Sequence, residues 1–105
     1  MLFRSVKAKE YHEKARAISI EIGDKRTVAN CYRAEGEFHR CLGDKDKATA
    51  CFEKALVIAV EIGDRKLEAL SYLSLGKVFQ SRADHDVAEE YLKKALSMQD
   101  YNISN

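Results

Sequence analysis

The sequence predicts an all-α protein, an α-α superhelix of antiparallel helical hairpins with five helices. Three observations predict it. A 40-residue segment repeats itself, Gly-Asp pairs punctuate the repeat at matched positions, and apolar residues between them recur at helical spacing. Self-similarity at a fixed period of this size is the mark of an array built from one supersecondary unit.

The repeat is read directly. Glu21-Ile22-Gly23-Asp24-Lys25 returns as Glu61-Ile62-Gly63-Asp64-Arg65, and 13 of 40 positions agree between 21–60 and 61–100. Among them Ala29, Tyr32 and Gly36 meet Ala69, Tyr72 and Gly76, and Lys54-Ala55-Leu56 meets Lys94-Ala95-Leu96. The N-terminal piece joins the same register, because residues 5–24 match 45–64 at 10 of 20 positions.

Punctuation places the helices near 5–22, 25–41, 45–62, 65–81 and 85–98. At Gly23-Asp24 and Gly63-Asp64 the glycine takes a left-handed helix end and the aspartate caps the next start. Leu42-Gly43-Asp44 divides the first full repeat in the same way. The second keeps Asp84 but has Ala83 in place of glycine, so Ala83 either turns differently or carries a left-handed strain of about 1 kcal/mol. Within the third helix Ala48, Phe52, Ala55, Leu56 and Ala59 fall on one buried face. Small alanines and glycines let neighbouring helices approach closely.

Composition sets the limits. The chain has 105 residues, enough for one domain. Its 18 basic and 17 acidic residues nearly cancel, which argues against nucleic acid or an acidic membrane as partner. No apolar run reaches the roughly 18 residues of a membrane span, and no secretion signal opens the chain. The cysteines, Cys31, Cys41 and Cys51, are odd in number and form no Cys-x-x-Cys pair, so a reduced, cytoplasmic setting is expected. Ten apart on one helix, Cys31 and Cys41 diverge by about 80°. With His12, His39 and His85 scattered, they form no metal ligand set, and small buried core residues is the better reading. No phosphate loop or nucleophile motif appears. The expectation is a protein without cofactor, metal or enzyme activity. Asn102-Ile103-Ser104 matches a glycosylation acceptor, read as coincidence.

Tyr72, Leu75-Gly76, Phe79, Asp84, Ala88, Leu92 and Ala95 together resemble the tetratricopeptide repeat. The preceding repeat supplies Tyr32, Gly36, Leu42-Gly43-Asp44, Ala48, Phe52 and Ala55, and Ala8, His12 and Ala15 fit half of an earlier unit. The usual unit of about 34 residues is lengthened here by about six, through Ala-Val-Glu-Ile-Gly-Asp-Arg. That long form is similar to the Pins-type G-protein-signalling modulators. Two residues depart from the family pattern: Glu35 stands for leucine and His39 for an aromatic. Four apart on one helix, they are able to pair with each other.

The resemblance implies a concave groove, lined by the first helix of each hairpin, that holds a partner peptide or helix. Carried across by position, the groove residues are Asn30, Arg33, Glu37 and Arg40, then Leu70, Leu73, Lys77 and Gln80. The family's lysine-and-asparagine carboxylate clamp is not matched, since Arg33 and Glu37, then Leu73 and Lys77, replace its pairs. Arg33, Arg40 and Lys77 favour an acidic peptide helix, with Leu70 and Leu73 as apolar anchors. The expected organisation is an array over 1–98, with a half repeat at 5–24 and full repeats at 25–64 and 65–98, then a frayed tail at 99–105. The function read from this is a protein–protein interaction scaffold, expected to be a fragment of a longer repeat protein. The alternative is a structural segment that forms a homodimer through its uncapped terminal helices, with a stripe near Tyr91, Leu92 and Met98 left open.

Overall fold

In the computed structural model, residues 2–104 are described, with side chains from Lys7 to Met98. Five helices follow one another: α1 (Leu2–Ile22), α2 (Lys25–Cys41), α3 (Lys45–Ile62), α4 (Arg65–Ser81) and α5 (His85–Ser104). Consecutive helices pack in series, and α2 also touches α4. This is the all-α stack of hairpins that the repeat predicts. The internal boundaries agree with the punctuation. α5 continues to Ser104, past the end expected near residue 98, because no glycine or proline interrupts 85–104. The side chains of the 99–105 tail, and so of the Asn102-Ile103-Ser104 match, lie outside the described residues.

The turns behave as their residues dictate. Gly23, Gly43 and Gly63 take φ of 78°, 83° and 71°. Asp24, Asp44 and Asp64 cap the helices that follow, each accepting a hydrogen bond from the backbone N–H three residues on. Ala83 takes φ 61°. Of its two options it accepts the left-handed conformation without a glycine.

The core is built from small residues around a few large ones. Ala29, Ala55, Ala59 and Leu67 form one cluster, with Tyr32 and Ile58 against it. Ala48, Phe52, Leu75 and Val78 form the other, flanked by Leu56, Phe79 and Tyr91. Gly36 lies so close to Phe52 that an added Cβ would sit 2.7 Å from Cε1 of the ring. Gly76 stands in the same relation to Leu92. The matched glycines are thus the points where the helices of each hairpin meet.

Three sequence expectations are corrected. Only Cys31 of the three cysteines is buried; Cys41 is exposed and Cys51 half-buried. Met98 is buried and Tyr91 stacks on Phe79, so of the stripe expected to lie open Leu92 alone borders open surface, together with Leu96 and Leu73. Glu35 does not pair with His39. Its carboxylate is buried and accepts two hydrogen bonds from Arg16 of α1, at 2.7 and 2.9 Å.

The repeat register explains that pair. Forty residues on, Arg16 corresponds to Leu56 and Glu35 to Leu75, which belong to one apolar cluster between α3 and α4. The α1–α2 junction therefore replaces a leucine contact with a bidentate ion pair. Arg16 also lies 4.8 Å from the centre of the Tyr32 ring, and Glu35 holds the guanidinium charged by hydrogen bonding.

Candidate functional site: the α2–α4 face and the end of the stack

α2 and α4 are the first helices of the two full hairpins, and they adjoin along one side of the stack. Their caps fix how they sit. Asp64 caps α4 through the backbone N–H of Leu67 and accepts a 2.8 Å hydrogen bond from Arg26 Nε of α2. Those two donors hold the Asp64 carboxyl below the usual range, Arg26 foremost. Further ties between successive helices run from Lys25 to Glu61 and from Arg82 to Asp46.

This frame distributes the eight sequence-assigned groove residues unevenly. Asn30, Arg33 and Leu70 come together around a depression of about 310 Å³, with Asp64, Lys66 and Leu67. Leu70 and Leu73 face a second depression toward the end of the stack. Glu37 lies between α1 and α2, beside His12 and Phe38. Gln80 borders α5 near His85 and Leu92. Lys77 is exposed, and Arg40 is engaged by Glu37 at 2.7 Å.

Arg33 differs from its neighbours. Its Nε is buried and has no hydrogen-bond partner among the described residues. A buried donor left unmade costs about 1–3 kcal/mol, and this one is closed off from the surface, so a partner meets it only if the Arg33 side chain re-orients. Around it stand an amide at Asn30 and an apolar wall at Leu67 and Leu70. This set can hold a polypeptide by hydrogen bonding and apolar contact. Among the described residues no cluster of three or more His, Cys, Asp or Glu could hold a metal ion.

A second surface was foreseen only in part, through Leu92 of the stripe expected to lie open and through Leu70 and Leu73. Lys66, Ala69, Leu70 and Leu73 of α4 and Leu92, Ala95 and Leu96 of α5 enclose an open, mainly apolar groove of about 580 Å³. The repeat register held the signal. Ala29, Phe52, Ala55 and Leu56 are the counterparts of Ala69, Leu92, Ala95 and Leu96, and in the first repeat they lie in the clusters completed by α4.

The tetratricopeptide repeat family model matches residues 32–100. The chain belongs to the tetratricopeptide repeat family. Proteins of this family generally mediate protein–protein interactions. A search of the curated proteins finds no match to this chain. Among the described residues no helix is long and apolar enough to cross a membrane.

Proposed function

We propose that this chain is a non-enzymatic scaffold that holds a peptide or helix of another protein against the α2–α4 face. The observation that carries the reading is the unpartnered Nε of Arg33, set beside Asn30 and Leu70. Glu37 is occupied by Arg40 one turn on, so Arg33 is the cation we assign to the partner. A carboxylate on the incoming segment would answer it best, because a charge-assisted hydrogen bond is about twice as strong as a neutral one. Leu70 and Leu73 supply apolar anchoring, and Lys77 extends the positive character along α4. The ligand is therefore an acidic peptide or helix.

The 40-residue period supports kinship with the long, Pins-type members of the family, and the odd cysteine count supports a cytoplasmic setting. A second reading, a homodimer through the terminal helices, is favoured by one observation. Tyr11, Ile18 and Ile22 are exposed along α1, at 65%, 58% and 72%, and their spacing puts them on one stripe. Light scattering over a wide concentration range decides it, since a monomer throughout removes that reading.

The test of the first reading is proximity labelling in cells with the wild-type chain and with Arg33→Glu. Partners enriched by the wild type are expected to fall at least tenfold with the variant, at unchanged expression and helical content. Equal enrichment by both chains would contradict the reading.

A further inference from the structure

Two junctions of one kind stand in the stack, where the second helix of a hairpin meets the first helix of the next: α1 with α2, and α3 with α4. Their chemistry is unlike. Lys9, His12, Arg16 and Ser19 form the stripe of α1 on the α2 side, at spacings of three and four. Forty residues on, the same stripe reads Thr49, Phe52, Leu56 and Ala59, apolar but for Thr49. The apolar side chains of α1, Tyr11, Ile18, Ile20 and Ile22, are exposed instead. What holds α1 to α2 is polar. Arg16 donates two hydrogen bonds to the Glu35 carboxylate, and Lys9 Nζ lies 6.0 Å from the centre of the Phe38 ring. His12 stands where the next junction has Phe52, and borders a cavity of about 230 Å³ with Ala8, Ala34 and Phe38.

We propose that the α1–α2 junction is a joint, at which α1 swings away from α2 while α2 to α5 stay stacked, and that its polar stripe is what lets it open. Opening uncovers little apolar surface, because no apolar side chain of α1 is buried among the described residues. Parting Arg16 from Glu35 returns both charged groups to water, which offsets much of the attraction lost. Opening the α3–α4 junction would instead bare Phe52, Leu75 and Val78, each fully buried. Elements with few buried apolar contacts open locally, well below the free energy of global unfolding. An outer place in the stack is not the cause, since α5 is also an outer helix and buries Ala88 and Met98.

Cys31 reports the state of the joint. It lies one turn before Glu35 on the stripe of α2 that meets α1, and is 5% exposed. Its counterpart forty residues on is Ser71, fully buried at the α3–α4 junction. In the closed joint burial both shields the Cys31 thiol and pushes its pKa up, so an alkylating reagent reaches it through the open form.

The test compares thiol alkylation at the two junctions by a maleimide, followed by mass. One chain carries Cys41→Ser and Cys51→Ser, leaving Cys31 as its sole thiol. The other carries all three cysteines changed to serine, together with Ser71→Cys. Cys31 is expected to react at least tenfold faster than the thiol at position 71. Adding Arg16→Leu and Glu35→Leu to the first chain should slow Cys31 at least tenfold, toward the rate at position 71. Glu35 raises the Cys31 thiol more than Arg16 lowers it, so by charge alone the double change would speed the reaction, and slowing reports closure. Equal rates at positions 31 and 71 overturn the proposal, because the thiols are then reached only by global unfolding. A double-leucine chain that reacts as fast as its parent also overturns it, because the polar stripe then has no part in the opening. Amide exchange of the wild-type chain repeats the comparison with no substitution. Residues 10–19 of α1 should exchange at least tenfold faster than residues 67–78 of α4, and exchange of both at one rate would contradict the joint.

Discussion

Glu35 shows how one residue is decided by its repeat partner. Its side chain is 6% exposed and that of Arg16 25%, so removing either has a different cost. Arg16→Leu leaves a buried carboxylate unpaired and is expected to cost about 3 kcal/mol. Glu35→Leu leaves a guanidinium that still reaches solvent and the Tyr32 ring, at about half that cost. The double change restores the two leucines that the next junction carries at these positions, Leu56 and Leu75, and is expected to be neutral or more stable than the wild type. Thermal melting reads all three, with about 4–8 °C per kcal/mol for a chain of this size. A double variant less stable than Arg16→Leu alone would contradict the account. Gly36→Ala is a second case. Alanine would gain about 1 kcal/mol of helix propensity, but its Cβ would meet the fully buried Phe52 ring at 2.7–2.9 Å. Overpacking of about 1–3 kcal/mol should win. Gly76→Ala meets the flexible, half-buried Leu92 and should cost less.

At the scale of the helix, boundaries were legible because turn chemistry is local. Gly-Asp signals placed the internal ends, and Ala83 was marked by the missing glycine alone. Ala83→Gly is expected to stabilise the fold by about 1 kcal/mol, since only the left-handed strain is removed. Asp64→Ala removes a cap and the Arg26 tie, and should cost about 1 kcal/mol. The caps also set the acid response. Asp24 and Asp64 are held below the usual carboxylate range by hydrogen bonds, from Thr27 in one case and from Arg26 and Leu67 in the other. Their stabilisation is therefore present above about pH 4 and lost as pH falls through the folded values. Melting at graded pH should show that fall, and Asp64→Asn should blunt it. What the pattern could not show were contacts across junctions. Arg16 carries no mark that it answers Glu35, and the local four-residue spacing pointed to His39 instead. The end of α5 was missed for a related reason: nothing in 85–104 stops a helix, and the earlier repeat's Gly63 has no counterpart there.

The molecule as a whole is a slab about 19 Å thick, with helices in contact mainly with their chain neighbours. Such a stack presents extended faces as its binding surfaces. The sequence alone assigned eight residues to one groove by family position, and the structure divides them among separate depressions. That division was invisible because it depends on Glu37 turning to Arg40 and on Leu73 lining a groove with Leu92 and Leu96 of α5. The faces thus carry different chemistry: Arg33 with Asn30 on the α2–α4 side, and leucines rimmed by Lys66 at the end.

Site-specific photocrosslinking tests the central claim most directly. A photoreactive amino acid is placed at Asn30 or Lys77 on the α2–α4 side, or at Val57 or Val60 on the exposed face of α3. Crosslinks to a partner protein are expected from Asn30 and Lys77 and not from Val57 or Val60. Crosslinks confined to Val57 and Val60 would contradict it.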